Sequence, residues 1–168
     1  MDFFNVFLNS VIVVVLYLCT YYFVDRRQIR KDENAKNTAD ILLLYTYREC
    51  LDTLSLISNQ EWTRRNIIPG LDGNKAIKEN PAIKDVQDSP FRTRGEILEL
   101  SKNGYVEKDA LDRYFQIQIE YRNIVALKIV FYDLDAPQTV DQKALYMEIK
   151  QRRENLNDLL NHEIERLE

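Results

Sequence analysis

Five residues have the side chains and the placement to hold an anion. Trp62, Arg64 and Arg65 precede a stretch rich in Gly and Pro, and Arg92 and Arg94 follow it. If the ends of that stretch approach, four guanidinium groups and an indole converge. Guanidinium forks match phosphate oxygens two at a time, and an indole face can stack on a base. The chemistry this offers is binding of a small phosphorylated ligand, a nucleotide or a short oligonucleotide. A plainer reading pairs these arginines with Glu61, Glu96 and Glu99 on a solvated face. Surface ion pairs are commonplace, which favours that plainer reading.

Catalysis finds no comparable support. His162 is the lone histidine and stands in a charged stretch, where it reads as a solvated surface residue rather than a base or ligand. A metal site needs clustered His, Cys or carboxylate ligands, and Cys19 and Cys50 are far apart in different settings. The segment PGLDG is not closed by Gly-Lys-Ser/Thr, so it is not a phosphate loop. The expectation is no enzyme, no metal and no cofactor. Cys19 in an apolar run and Cys50 in a helical pattern cannot form a structural bridge, which suits a reducing compartment.

What positions these groups begins with residues 3–24, FFNVFLNSVIVVVLYLCTYYFV, which carry no charge. As a helix the run spans roughly 33 Å, about the hydrocarbon thickness of a bilayer. It is apolar on all sides, whereas a helix on a soluble core keeps a charged stripe. Phe3 and Phe4 at one end and Tyr17, Tyr21, Tyr22 and Phe23 at the other supply aromatic belts. A secretory signal would need a basic start and a small-residue cleavage site, and Asp2 and the absence of an Ala-x-Ala pattern argue against one.

Arg26, Arg27, Arg30 and Lys31 follow the run directly. The positive-inside bias then places the N-terminus outside and the remainder in the cytoplasm, at the plasma membrane. The same cations suit anionic lipid headgroups, although a stop-transfer flank explains them as well. Asn5, Asn9 and Thr20 lie along roughly one face of the run, where polar side chains hydrogen-bond between helices and favour self-association. Interfacial water reaching Asn5 is the alternative.

Beyond the run, residues 25–38 form a basic juxtamembrane segment without an apolar face, compatible with a continuing helix or a solvated linker. All 23 Lys and Arg lie after the run, against 27 Asp and Glu of which only Asp2 precedes it. This mildly acidic, mixed balance disfavours wrapping by long nucleic acid.

Residues 39–168 suit one helical domain. Leu43, Tyr47, Cys50, Leu54 and Ile57 recur at helical spacing over residues 39–58. Ser58 with Glu61 fits a capping box opening a short helix that carries Trp62. Residues 69–89 read as a long loop, with at most one helical turn begun by Asn80 and Pro81. Thr93 with Glu96 forms a second capping box, and Asn103 with Gly104 supplies a left-handed helix end.

A long helix is expected over 107–134, striped by Leu111, Tyr114, Tyr121, Val125 and Tyr132 with Ile117, Ile124 and Phe131 beside them. Thr139 with Gln142 caps a last helix striped by Leu145, Ile149, Leu156, Leu160, Ile164 and Leu167, a stripe that Arg153 interrupts. The tyrosines outside the run read as core-edge residues.

The expected architecture is therefore all-α: a transmembrane anchor at 1–24, the basic segment at 25–38, and a cytoplasmic bundle of about four helices at 39–168 with a loop at 69–89. The expected function is a single-pass, non-enzymatic scaffold that self-associates or engages another membrane-associated protein. The alternative is a ligand-gated membrane effector or sensor whose arginines bind the phosphorylated ligand.

Overall fold

The structure is a computed structural model that describes residues 2–59, 81–130 and 139–168, with side chains described at 7–59, 84–128 and 139–168. Helices dominate, in the order α1 (Asp2–Ser58), α2 (Pro81–Asp88), a 3-10 turn (Ser89–Phe91), α3 (Arg94–Lys102), α4 (Lys108–Val130) and α5 (Val140–Leu167). No strand occurs among the described residues. The chain divides into two compact units, Met1–Thr38 and Ala39–Glu168.

The first unit consists of helix. Its stretch 25–38, open between helix and linker from the sequence, is helical within α1. The large apolar side chains of residues 7–24 are all exposed, from 42% at Val11 to 69% at Tyr17, and an 18-residue window there has mean hydropathy 2.0. The helix is long and apolar enough to cross a membrane. At the basic flank the Arg26 guanidinium lies 4.4 Å from the Tyr22 ring centroid, and Gln28 donates to Asp32 across one turn at 3.0 Å.

In the second unit residues 39–58 of α1 behave as their spacing predicts. Ala39, Leu43, Tyr47, Cys50, Leu54 and Ile57 are buried and face Ile97 of α3, Tyr114, Ile117, Tyr121, Ile124 and Val125 of α4, and Leu156 and Leu160 of α5. Two contacts give α1 and α5 opposite directions: Arg48 pairs with Glu168, and Ser58 accepts from Arg153 at 2.7 Å. Helices α4 and α5 are likewise antiparallel, joined by Arg113 with Glu163 at 2.8 Å and Glu120 with Arg152 at 3.5 Å.

Over residues 81–89, where a loop with at most one helical turn is expected, the structure has the eight-residue α2 and the start of the 3-10 turn. Pro81 opens α2, where a missing N–H costs nothing, and Pro90 lies within the 3-10 turn. Tertiary contacts hold α2 down: Tyr121 donates to the Val86 carbonyl at 2.8 Å, Gln87 to the Arg122 carbonyl at 3.2 Å, and Arg122 pairs with Asp88 at 2.6 Å. The turn then buries Phe91 edge-on against Tyr114 and Tyr121, with centroids 5.8 and 5.5 Å away. Residues 69–80 of the expected loop, the short helix expected after Ser58, and Phe131 and Tyr132 lie outside the described residues.

Four helix ends test the capping expectations. Thr139 makes its box with Gln142, each accepting from the other's backbone at 3.2 and 3.1 Å. Gly104, at φ 78°, closes α3 with Gly104 N–H on Ser101 and Tyr105 N–H on Leu100, the double bond of a Schellman end. Thr93 does not form the expected box: its backbone is not extended, and its hydroxyl lies 3.3 Å from that of buried Thr46 instead. Ser58, expected to open a capping box, ends α1 and donates back to Leu54 at 2.7 Å.

The one buried carboxylate in this unit is Glu163, 1% exposed among the described residues. Arg166 donates to it at 2.9 and 3.1 Å, and Arg113 sits 2.8 Å away as an ion contact rather than an aligned hydrogen bond. A buried charge left without partners is costly, and these two cations meet that need between α4 and α5. Both reach water, so their loss on truncation is softened. Glu163→Ala is expected to destabilise the detergent-solubilised chain by about 3 kcal/mol, the low end for breaking a buried pair, and Arg48→Ala by under about 1 kcal/mol. Denaturant unfolding followed by circular dichroism checks the contrast.

Candidate functional site

The five residues singled out for an anion are only partly described. Trp62, Arg64 and Arg65 lie outside the described residues. Arg92 is exposed, and Arg94 is exposed with its guanidinium 5.6 Å from the Phe115 ring centroid. Neither arginine makes an ion pair with Glu96 or Glu99, so within the described residues the plainer pairing does not form; Arg94 lies on an aromatic face instead.

A second set of cations is brought together on the helical domain. Lys128 at the end of α4 and Lys150 and Arg153 on α5 border an open groove of about 610 Å³, counting the space open to solvent. Its floor is Ile57, Ile124 and Ile149, and Ser58 and Tyr146 complete its walls. Helical spacing explains the arrangement. Tyr146, Ile149, Lys150 and Arg153 fall at i, i+3, i+4 and i+7 on one face of α5, and Ile124 and Lys128 are one turn apart on α4. No carboxylate lines the groove among the described residues. Among the described residues the one acid contact is Glu154, 4.0 Å from Lys150.

Arg153 is fixed in this groove by Ser58, while its Nε is buried without a hydrogen-bond partner among the described residues. Sequence reasoning noted that Arg153 breaks the apolar stripe of the last helix but gave it no role. A cation at a stripe position was the signal available, and Lys128, one turn after buried Ile124, repeats it.

In the first unit, Thr20 turns its hydroxyl inward to its own helix, donating to the Leu16 carbonyl at 2.8 Å. That bond removes its need for an acceptor on another helix. Asn9 is exposed, and its amide has no hydrogen bond among the described residues; the Asn5 side chain lies outside them. Arg27, Arg30 and Lys31 are exposed along with Arg26. His162 is exposed, and no group of three His, Cys, Asp or Glu side chains is placed to hold a metal ion among the described residues. No family model, curated protein or solved structure matches the chain.

Among the described residues of the helical domain's core, four groups have their ionisation suppressed. Burial pushes the Cys50 thiol well above its usual 9.0, with the Glu49 carboxylate adding to the effect. Burial likewise raises Tyr114 from 10.0 to about 12, and lifts Tyr47 and Tyr121 further, Tyr47 also feeling the charge of Glu163.

Because these groups are raised on folding, they favour the folded state fully at pH values below their unfolded values of 9.0 and 10.0. Unfolded chains ionise first as pH rises, so stability declines above about pH 9 to 10. Equilibrium unfolding between pH 7 and 11 should give a flat region followed by this fall. In a Cys19→Ser chain, Cys50 should also resist maleimide at pH 7.5 until denaturant is added, since the thiolate is the reacting form.

Proposed function

We propose that the protein is a single-pass membrane protein whose helical domain acts in the cytoplasm at the plasma membrane as a non-enzymatic interaction module. The observation that carries this reading is the uncovered state of residues 7–24, apolar around the whole helix and exposed throughout. Lipid is the cover that fits, because its contact needs no periodicity. The basic flank of Arg26, Arg27, Arg30 and Lys31 supports an N-terminus outside, and Tyr17, Tyr21, Tyr22 and Phe23 support an interfacial belt. The non-enzymatic part rests on the sequence, which carries no catalytic motif.

Self-association is the interaction this reading favours. An amide in hydrocarbon needs a partner, and Asn9 makes no hydrogen bond among the described residues. Thr20 contributes less than its position suggests, since its hydroxyl proton is already accepted within the helix. Recruitment of another membrane-associated protein is the other form the module takes.

Chemical cross-linking in native membranes tests the proposal. A dimer or higher oligomer is expected, weakened by Asn5→Leu with Asn9→Leu to the extent of about 0.6–2 kcal/mol per side chain. Recovery of monomer alone, with no cross-linked partner, contradicts it.

A further inference from the structure

We propose that the groove of Lys128, Lys150 and Arg153 is a binding site for a phosphomonoester whose remaining part is apolar or aromatic. The groove lies wholly within residues 39–168, so this proposal stands apart from the membrane reading.

Placement is the first argument. Lys128 and Arg153 each stand one turn beyond a buried isoleucine, Ile124 and Ile149, where the helical stripe would continue with another apolar residue. Cations brought against an apolar floor lose hydration, and that loss is made good by an opposite charge. The described residues supply little of it. Lys128 makes no ion pair among the described residues, Arg153 pairs with no acid among them, and Lys150 has only Glu154 at 4.0 Å. Among the described residues the three cations are therefore matched by one distant carboxylate. A phosphomonoester brings a charge of about −1.5 to −2 at pH 7 together with three acceptor oxygens.

Geometry gives the second argument. Ser58 holds one terminal nitrogen of Arg153 at 2.7 Å, so the guanidinium is oriented before any ligand arrives, and its buried Nε has no partner among the described residues. An oriented guanidinium and two ammonium groups from two helices suit a compact, multivalent oxyanion. The isoleucine floor and the partly exposed Tyr146 ring offer contact only to an apolar or aromatic body. Such a ligand has two sources, a soluble phosphorylated metabolite or a lipid phosphate, which share this chemistry.

Calorimetric titration of the full chain in an uncharged detergent tests the site, with phenyl phosphate as the probe. Saturable binding is expected, with inorganic phosphate about tenfold weaker or worse for lack of the apolar body, and phenol not binding. Lys128→Gln with Lys150→Gln should weaken phenyl phosphate by about tenfold or more while leaving the circular dichroism and unfolding midpoint unchanged, since neither lysine makes a short bond in the fold. Lysophosphatidic acid in the same micelles separates the sources. If it displaces phenyl phosphate the natural ligand class is lipid; if it does not, the site takes the soluble ester. Absence of saturable phenyl phosphate binding, or equal affinity in the double variant, overturns the proposal.

Discussion

Apolar side chains on α1 have to be covered, and this requirement shapes everything else in the chain. Over residues 39–58 it is met by protein. Leu43, Tyr47, Cys50, Leu54 and Ile57 recur every three or four residues, and each is buried by α3, α4 and α5. Over residues 7–24 there is no such stripe, and no protein cover among the described residues. Burying a Val, Leu, Ile or Phe side chain is worth about 1.5–3 kcal/mol, so a run of this length leaves on the order of 20 kcal/mol unrealised in water. Net folding stabilities are about 5–15 kcal/mol, so the medium around this run decides whether the chain is soluble at all. That comparison is why the proposed function begins with a bilayer.

Within the helical domain, aromatic packing and a few polar ties fix how the helices meet. Phe91 joins Tyr114 and Tyr121 edge-on and brings the 3-10 turn into the core. Tyr121 carries its hydroxyl out to the Val86 carbonyl, which is how a large ring is buried without stranding its polar end. Glu163 with Arg113 and Arg166 joins α4 to α5 at one level, and Arg152 with Glu120 does so at another. The exposed pairs add little stability but mark the antiparallel register. The groove cations differ from all of these because the described residues leave them nearly unmatched.

Much of this was legible where a pattern repeats. The stripe from Leu43 to Ile57, the Thr139 box and the left-handed Gly104 follow from local chemistry that needs no knowledge of the rest of the fold. Elements set by distant contacts were not. Helix α2 is eight residues long and begins with a proline, and it is held by Tyr121 and Arg122, more than thirty residues away in sequence. Thr93 has the letters of a cap, yet Thr46 captures its hydroxyl from another helix. The groove was missed for the same reason: Lys128, Lys150 and Arg153 become one site only once α4 and α5 are laid antiparallel. Arg153 was visible as an interruption, but an interruption alone does not say what it faces.

As proposed, residues 7–24 lie in lipid; the structure gives them as exposed, apolar helix in a unit separate from Ala39–Glu168. Spin labels placed singly at each position from 7 to 31 of the chain, reconstituted in bilayers, read this directly through their relative accessibility to oxygen and to a water-soluble nickel complex. A smooth depth profile is expected, with its maximum near Val13 to Val15, falling to aqueous values by Arg27, and with no helical periodicity superimposed. A 3.6-residue oscillation between buried and water-exposed positions across 7–24, the signature of a helix covered by protein on one side, would contradict it.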